Sequence, residues 1–155
     1  MKYLNDLFDN YVLMTAVIGW LSAQVIKTII DFAINKKLTL ERLVGAGGMP
    51  SCHSSTVCAL STSCAIAHGI ASTEFALAAI LAIIVMYDAR GVRRETGNQA
   101  EVINEIIDFL KNSSTESLKF TQENLKELIG HTPLQVFFGA ILGIIIGFST
   151  YPLFH

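Results

Sequence analysis

The chain has 155 residues, of which 52% are hydrophobic and 15% are charged, and its formal net charge is -2. Soluble domains have roughly a quarter charged residues, and disordered chains combine low hydrophobicity with high net charge, so both classes are excluded. Nucleic-acid-binding domains are strongly basic, which excludes a nucleic-acid partner. The length predicts one domain. With a mean hydropathy of +0.50, we expect residues 1–155 to form a single integral membrane domain.

Four segments are predicted as membrane spans, judged against about 20 apolar residues for each crossing. The third is shorter than the others. Only residues 69–74 separate it from the second, which predicts a tight helical hairpin. The expected fold is therefore an all-α polytopic bundle of about four transmembrane helices with amphipathic cytoplasmic helices. The four segments are 11–34, 52–71, 75–88 and 134–153.

The first segment has one alternative interpretation, a secretory signal peptide with a weak cleavage site at Ser22-Ala23. The residues before it include Asp6 and Asp9 against Lys2, whereas a signal peptide begins with a positive region. We therefore expect the first segment to be a membrane anchor.

Lys and Arg residues are concentrated in the two long connections, and the other side has only Lys2. The positive-inside rule then predicts that both long connections are cytoplasmic, with the termini and the hairpin turn outside, provided that the third segment crosses. We expect the plasma membrane of a bacterium as the location. The basic residues of the two connections are Lys36, Lys37, Arg42, Arg90, Arg93, Arg94, Lys111, Lys119 and Lys126.

The long connection between the third and fourth spans has two predicted helices. One is amphipathic, because apolar residues recur at helical spacing. The other covers residues 122–129 and ends at Gly130. These helices either lie on the membrane surface, cap a site or form a solvated connector with one apolar face. The apolar residues of the first helix are Val102, Ile103, Ile106, Ile107 and Leu110.

Four polar residues share one face of the first span, namely Gln24, Lys27, Asp31 and Asn35. Charge within a membrane helix is costly and usually faces a functional cavity, which we favour here. Two alternatives stay open. Lys27 and Asp31 form a structural ion pair one turn apart, or the Lys27 side chain extends to the membrane surface.

The glycine-rich stretch 45–48 precedes a helix start and indicates a phosphate site. Glycines allow backbone N–H groups to point at an anion, and the first turn of a helix presents further free N–H groups. Ser51 is the expected N-cap, and His53 lies in that first turn. Gly48 and Ser51 are therefore candidate phosphate-binding residues.

A second histidine lies at a matching position before the fourth span. Thr132 is a suitable N-cap and Pro133 suits the first helical position. Both spans begin on the same side of the membrane in the predicted topology. We therefore expect His53 and His131 to lie at one face, each beside a helix N-terminus.

Arginines follow the third span on that same side. Arginine binds phosphate through two hydrogen bonds and keeps its charge at neutral pH, although basic residues at a cytoplasmic border also fit the positive-inside rule. Together with the two histidines they favour phosphate binding, by Arg93 and Arg94 above all.

Small residues complete the pattern. Gly139, Gly143 and Gly147 recur every four residues, which is typical of close helix packing and predicts contact with the second span. That contact would bring the two histidines together. Three cysteines, Cys52, Cys58 and Cys64, are interpreted as small packing residues of one helix that cannot bridge one another.

Three blocks of this sequence resemble the divergent branch of the type 2 phosphatidic acid phosphatase family, which is related to acid phosphatases and vanadium-dependent haloperoxidases. They are Met-Pro-Ser-Cys-His-Ser at 49–54, Val-Met-Tyr-Asp-Ala-Arg-Gly-Val-Arg-Arg at 85–94 and Gly-His-Thr-Pro-Leu at 130–134. The similarity covers nearly the whole chain.

The resemblance implies roles for these residues. His53 would be the general acid that protonates the leaving group, and His131 the nucleophile that forms a phosphohistidine. Basic residues, among them Lys27, would hold the phosphoryl oxygens. Asp88, Asp31 and Gln135 are expected in supporting positions. The family implies no metal and no cofactor.

The sequence departs from the family pattern at three positions. Cys52 replaces the glycine of the first block, Gln135 occupies the position of the orienting acid four residues after His131, and Leu125 stands where an arginine is expected. The usual basic block is also not found at its spacing, so Lys27, Lys36 or Arg42 would substitute for it. Phosphate binding is expected to survive these changes, whereas turnover depends on Gln135.

Three hypotheses follow. The leading one is a metal-independent phosphatase that binds and hydrolyses a lipid phosphate or pyrophosphate at the cytoplasmic face. The rival is a non-catalytic binder or translocator of phosphorylated lipids. The third, a small structural subunit that forms homo-oligomers, rests only on the glycine face. Phosphatidate, isoprenyl phosphates and glycerophosphate lipids are not distinguished by the sequence.

Overall fold

The computed structural model describes residues 2–36, 48–91, 99–100, 102–107 and 131–154. Within these ranges the chain is helical and has no strand, which confirms the all-α prediction. Residues 99–100 and 102–107 are also helical. The five full helices are α1 (Lys2–Phe8), α2 (Tyr11–Asn35), α3 (Cys52–His68), α4 (Thr73–Arg90) and α5 (Pro133–Phe154).

The helices α2 to α5 begin where polar capping residues precede apolar runs. The side chain of Asn10 accepts a hydrogen bond from the Leu13 backbone N–H at 3.0 Å, and Ser72 accepts one from Phe75 at 3.1 Å. Such caps satisfy N–H groups that have no partner inside the helix. Each of the four predicted segments agrees with an observed helix to within three residues at either end.

Hydrogen bonds between helices establish the chain directions. The Cys52 thiol donates to Gln24 Oε1 at 2.8 Å, and the Ser55 hydroxyl donates to the Gly19 carbonyl at 2.8 Å, so α2 and α3 are antiparallel. The Tyr11 hydroxyl donates to the carbonyl of Gly147 near the end of α5 at 3.1 Å. It follows that α2 is antiparallel to α5 as well, and that α3 and α5 run parallel.

The parallel pair α3 and α5 has the most extensive contact of the bundle. A Cβ atom on Gly139 would lie 2.5 Å from the Ser51 carbonyl oxygen, and one on Gly147 would lie 2.5 Å from Thr62 Cβ. The glycine face therefore packs on α3, as predicted. Because this face is used within one chain, the homo-oligomer hypothesis loses the observation on which it rested.

The burial pattern is the reverse of that in a water-soluble protein. Buried side chains are small or polar, while large apolar side chains face outward on α2, α4 and α5. Such an outward surface needs an apolar surrounding, and small residues between helices are typical of membrane bundles. Buried examples are Thr15, Gln24, Ser54, Ser55 and Thr150, and exposed ones are Val25, Ile29, Leu77, Ile83 and Phe148.

Two of the described helices, α2 and α5, are long and apolar enough to cross a membrane. Helices α3 and α4 have 17 and 18 residues, which is roughly 26 and 27 Å at 1.5 Å for each residue. The apolar core of a bilayer is about 30 Å thick. Crossing by α3 and α4 therefore stays a prediction.

The helical residues 99–100 and 102–107 correspond to the start of the predicted amphipathic helix. Val102, Ile103 and Ile106 are exposed, whereas Ala100 and Asn104 are buried. These three residues of the predicted apolar face are thus not covered by other described parts of the chain. The end of this helix and the second predicted helix at 122–129 lie outside the described residues.

Candidate functional site

The two predicted histidines meet at one end of the bundle. Nδ1 of His53 lies 3.4 Å from Nε2 of His131, and the ring centroids are 5.6 Å apart with the ring planes at 63°. His131 is only 3% exposed, while His53 is half-buried. Of the pair, His53 is therefore the ring with more access to the surroundings.

A reciprocal cap holds the residues that follow His131. The Thr132 hydroxyl accepts a hydrogen bond from the Gln135 backbone N–H at 3.3 Å, and Gln135 Oε1 accepts one from the Thr132 backbone N–H at 3.1 Å. This is the capping box of a Thr-x-x-Gln sequence. It fixes the position of the Gln135 amide relative to the helix start.

The same Gln135 oxygen determines which nitrogen of His131 has the proton. Gln135 Oε1 lies 3.1 Å from His131 Nδ1. Because the Thr132 backbone N–H can only donate, the shared atom must be the amide oxygen, so Nδ1 of His131 must donate to it. In the neutral ring, Nε2 is then the unprotonated nitrogen, and it faces Nδ1 of His53.

Backbone hydrogen bonds join three helix ends at the histidine pair. The His131 N–H donates to the carbonyl of Ala89, at the end of α4, at 3.1 Å. The Ser51 N–H donates to the Gln135 carbonyl at 3.0 Å. The distance between His53 and His131 is therefore set by main-chain bonds as well as by packing.

The parallel helices α3 and α5 place two N-termini side by side at this site. Ser51 caps α3, with its hydroxyl 3.4 Å from the Ser54 N–H, and is fully buried. Each N-terminus has a partial positive charge of about half an elementary charge. Two neighbouring positive ends repel each other, so an anion between them is favoured.

Lys27 lies on the α2 side of the same bundle end. It is 4% exposed and lies beside the Cys52 side chain. A Cβ on Gly48 would lie 2.9 Å from Lys27 Cδ, and Gly48 has a φ of 85°, so a side chain at this position would be strained. The lysine is thus held beneath the turn that leads into α3.

The predicted polar face of α2 becomes more exposed along the helix. Gln24 and Lys27 are buried, Asp31 is half-buried and Asn35 is exposed. The Asn35 amide donates to Asp31 Oδ1 at 2.9 Å. Only the first two of the four residues therefore lie inside the bundle, and Asp31 lies towards its rim.

A family model described as the divergent PAP2 family matches residues 8–146 of the chain. The chain belongs to the divergent PAP2 family. It is similar to the uncharacterized membrane protein YuiD of Bacillus subtilis (strain 168), with 45% identity over 148 residues that cover 91% of this chain and 94% of the relative. No solved structure matches it. Membership confirms the resemblance, and with the outward apolar surface it gives the protein a membrane location.

The other predicted site residues of this divergent PAP2 protein are only partly described. Asp88 is half-buried in the last turn of α4, next to the Ala89 carbonyl that binds the His131 N–H. Arg93, Arg94 and residues 45–47 lie outside the described residues, so their expected phosphate contacts stay predictions.

Three contributors to the site did not follow from the sequence reasoning. The Ala89 carbonyl is a backbone group, which no residue pattern distinguishes. The hydrogen bond from the Thr132 N–H to the Gln135 side chain could have been predicted. A threonine followed three residues later by a glutamine fits a capping box. Gln24 was recognised as polar, but its bond to Cys52 connects residues 28 positions apart.

Proposed function

We propose that this site binds the terminal phosphate of a lipid phosphate or pyrophosphate and hydrolyses it through a phosphohistidine. The observation that carries the proposal is the bond between Gln135 Oε1 and His131 Nδ1. It leaves Nε2 of His131 as an unprotonated nucleophile, with the imidazole of His53 beside it as a proton donor.

The reaction would proceed in two displacements. In the first, Nε2 of His131 attacks phosphorus while the bond to the leaving oxygen breaks, and His53 gives its proton to that oxygen. In the second, His53 takes a proton from water, whose oxygen attacks phosphorus and breaks the P–N bond. Inorganic phosphate leaves, and both imidazoles return to their starting states.

Positive charge around the site supports phosphoryl transfer. Negative charge on the phosphoryl oxygens is stabilised by donors that are already in place. The N-termini of α3 and α5 and the buried Lys27 are such groups in the described part of the chain. Arg93 and Arg94 are proposed to complete the set from the connection after α4.

Catalysis requires one rearrangement. At a separation of 3.4 Å between His53 Nδ1 and His131 Nε2, the proton donor faces the nucleophile itself. A phosphoryl group has to displace His53 before Nε2 can attack. We expect the half-buried His53 ring to rotate towards the leaving oxygen while the buried His131 ring stays in place.

The proposed orientation places the site on the cytoplasmic side. The ends of α2 and α4 and the starts of α3 and α5 meet here, and the long connections rich in Lys and Arg leave from the same end. The outward apolar residues of α4, such as Ile80 and Ile84, favour a crossing by that helix too. The membrane in question is proposed to be the plasma membrane of a bacterium.

A second function, binding or translocation without hydrolysis, is favoured by one observation. The partner of His131 Nδ1 is a neutral amide, which orients the ring but provides no negative charge for the imidazolium formed during attack. A binder of this kind would retain phosphorylated lipid and release no phosphate.

The deciding experiment is phosphate release by detergent-purified protein from a panel of lipid phosphates and pyrophosphates. His131→Asn should abolish release, whereas His68→Asn, which changes an exposed histidine at the far end of α3, should leave it unchanged. Release that survives in His131→Asn would contradict the phosphohistidine. Bound lipid without release from the wild type would favour the binder.

A further inference from the structure

An apolar groove runs between α2 and α5 next to the site. Its volume is about 240 Å³. Side chains from the two helices and from the turn before α3 line it, and none of these described side chains is polar. They include Ile26 and Ile30 of α2, Pro50 of the turn, and Phe138, Ile141 and Ile145 of α5.

We propose that this groove holds one hydrocarbon chain of the phosphorylated lipid whose phosphate lies at the histidine pair. The inference rests on the proposed function, because it identifies the apolar part of the same ligand. The expected ligand is a lipid with a phosphate monoester or its analogue, one hydrocarbon chain of which lies in the groove. A water-soluble phosphate ester has no such chain.

The chemistry of the lining excludes a polar occupant. A phosphate, sugar or nucleotide placed here would lose its hydrogen bonds to water and gain none from the described lining side chains, which disfavours its binding. A hydrocarbon chain has no such cost. Pockets that enclose a whole small ligand measure about 300–1,000 Å³, so this groove accommodates one part of a lipid.

The position of the groove connects it to both the bilayer and the site. It lies between the two helices that are long and apolar enough to span a membrane, so its open side faces lipid. Met49 and Pro50 line it and lead directly to Ser51, the cap of α3. A chain in the groove is therefore attached to a headgroup near the helix start.

A positively charged side chain lies at one end of the groove, as expected for a site that binds an anionic lipid. Lys27 follows Ile26 on α2, and its aliphatic part packs against Gly48, which precedes Met49. A buried cation thus lies beside the turn that closes the groove. The groove is apolar and has a cation at one end, so it is complementary to a lipid with a hydrocarbon chain and one phosphate.

Tryptophan fluorescence can test the occupant without any catalysis. Trp20 is the chain's single tryptophan, so Trp20→Phe with Phe138→Trp places one reporter in the groove. Trp20→Phe with Ile83→Trp is the control, because Ile83 of α4 is 60% exposed and is not among the lining residues. The probe is a phosphonate analogue of phosphatidate with brominated chains, compared in detergent micelles with diacylglycerol of the same chains.

We expect saturable quenching of the Phe138→Trp reporter by the phosphonate, with half-saturation at least tenfold below that of diacylglycerol. The Ile83→Trp reporter should respond alike to both lipids. Equal responses at Phe138→Trp, or no quenching there, would overturn the proposal. Ile145→Trp in the same background is a second reporter should Phe138→Trp not fold.

The result is separable from the test of hydrolysis. Saturable quenching in a protein that releases no phosphate would support the groove and reject the phosphatase. Phosphate release with equal quenching by both lipids would support the phosphatase and reject the groove.

Discussion

The side-chain oxygen of Gln135 lies 3.1 Å from Nδ1 of His131, and the same oxygen accepts the backbone N–H of Thr132 at 3.1 Å. A carboxylate at this position would orient the ring and also stabilise its positive charge. The glutamine keeps the first of these effects and lacks the second. Orientation and charge stabilisation, which usually occur together at such a position, are separated in this protein.

Replacing Gln135 with glutamate should restore the missing charge without disturbing the helix start. Glutamate satisfies a capping box as well as glutamine does, so the bond to Thr132 is retained. A charge-assisted hydrogen bond is stronger than a neutral one by about 1 kcal/mol, which corresponds to roughly a fivefold rise in kcat. Steady-state phosphate release at pH 8 measures it, and an unchanged or lower kcat would contradict the assigned role.

Gln135→Leu is the matching loss-of-function variant. It removes the acceptor of both the His131 Nδ1–H and the Thr132 N–H, so His131 is free to adopt the other tautomer. We expect kcat to fall roughly 100-fold or more, by analogy with other misoriented histidines. The loss of the cap should also lower the stability by about 1 kcal/mol, measured as a fall in Tm in detergent.

Lys27→Met should weaken phosphate binding while leaving the fold intact. Methionine keeps an aliphatic chain beneath Gly48 but removes the positive charge, so we expect the dissociation constant of inorganic phosphate to rise about tenfold, or 1.4 kcal/mol. The Tm should change little, because the methionine side chain keeps the aliphatic packing beneath Gly48.

Titration calorimetry of phosphate measures this effect, with Lys2→Met as the control. Lys2 belongs to α1, which precedes the start of α2 at the end of the bundle away from the histidines, and its replacement should leave the dissociation constant unchanged. Equal phosphate affinity in wild type and Lys27→Met would remove Lys27 from the site.

Two neighbouring serines of α3 should respond oppositely to alanine. The Ser55 hydroxyl donates to the Gly19 carbonyl at 2.8 Å, so Ser55→Ala should cost about 1 kcal/mol. The fully buried Ser54 hydroxyl has no hydrogen-bond partner within the described residues, so Ser54→Ala should be neutral or stabilising by up to about 1 kcal/mol. Thermal unfolding in detergent compares the two. A lower Tm for Ser54→Ala than for Ser55→Ala would contradict this assignment.

Cysteine labelling in intact cells tests the predicted orientation. In a background with the three buried cysteines replaced by alanine, Ala71→Cys lies in the exposed turn between α3 and α4. A membrane-impermeant maleimide should label it from outside, whereas Ser114→Cys should be labelled only after permeabilisation. Labelling of Ser114→Cys in intact cells would reverse the topology.

The positions of α2 to α5 were predictable because each of these helices has a local signal, whereas α1 was not predicted. Polar caps such as Ser51 and Thr132 precede apolar runs, and Pro133 occupies a first helical turn where it is favoured. The meeting of His53 with His131 was predictable for a related reason. The glycine repeat of α5 required a close partner, and the small residues of α3 provided the surface for it.

The remaining details depend on tertiary contacts that no local pattern encodes. The burial of Lys27 beneath Gly48 requires the turn before α3 to fold back over α2. The bond from His131 to the Ala89 carbonyl requires α4 to end beside the start of α5. The sequence did identify Lys27, Asp31 and Asn35 as one polar face, but the depth of each residue depends on where α2 leaves the bundle.

The glycine contacts between α3 and α5 have a mechanical consequence. Gly139 and Gly143 lie against the backbone of α3 and Gly147 lies against the Thr62 side chain, so neither helix can slide or rotate against the other without a steric clash. His53 and His131 are therefore attached to one rigid unit, which consists of α3 and α5. Apart from rotation of the His53 ring, any widening of the site has to come from α2 or the connections, because α4 is joined to His131 through the Ala89 carbonyl.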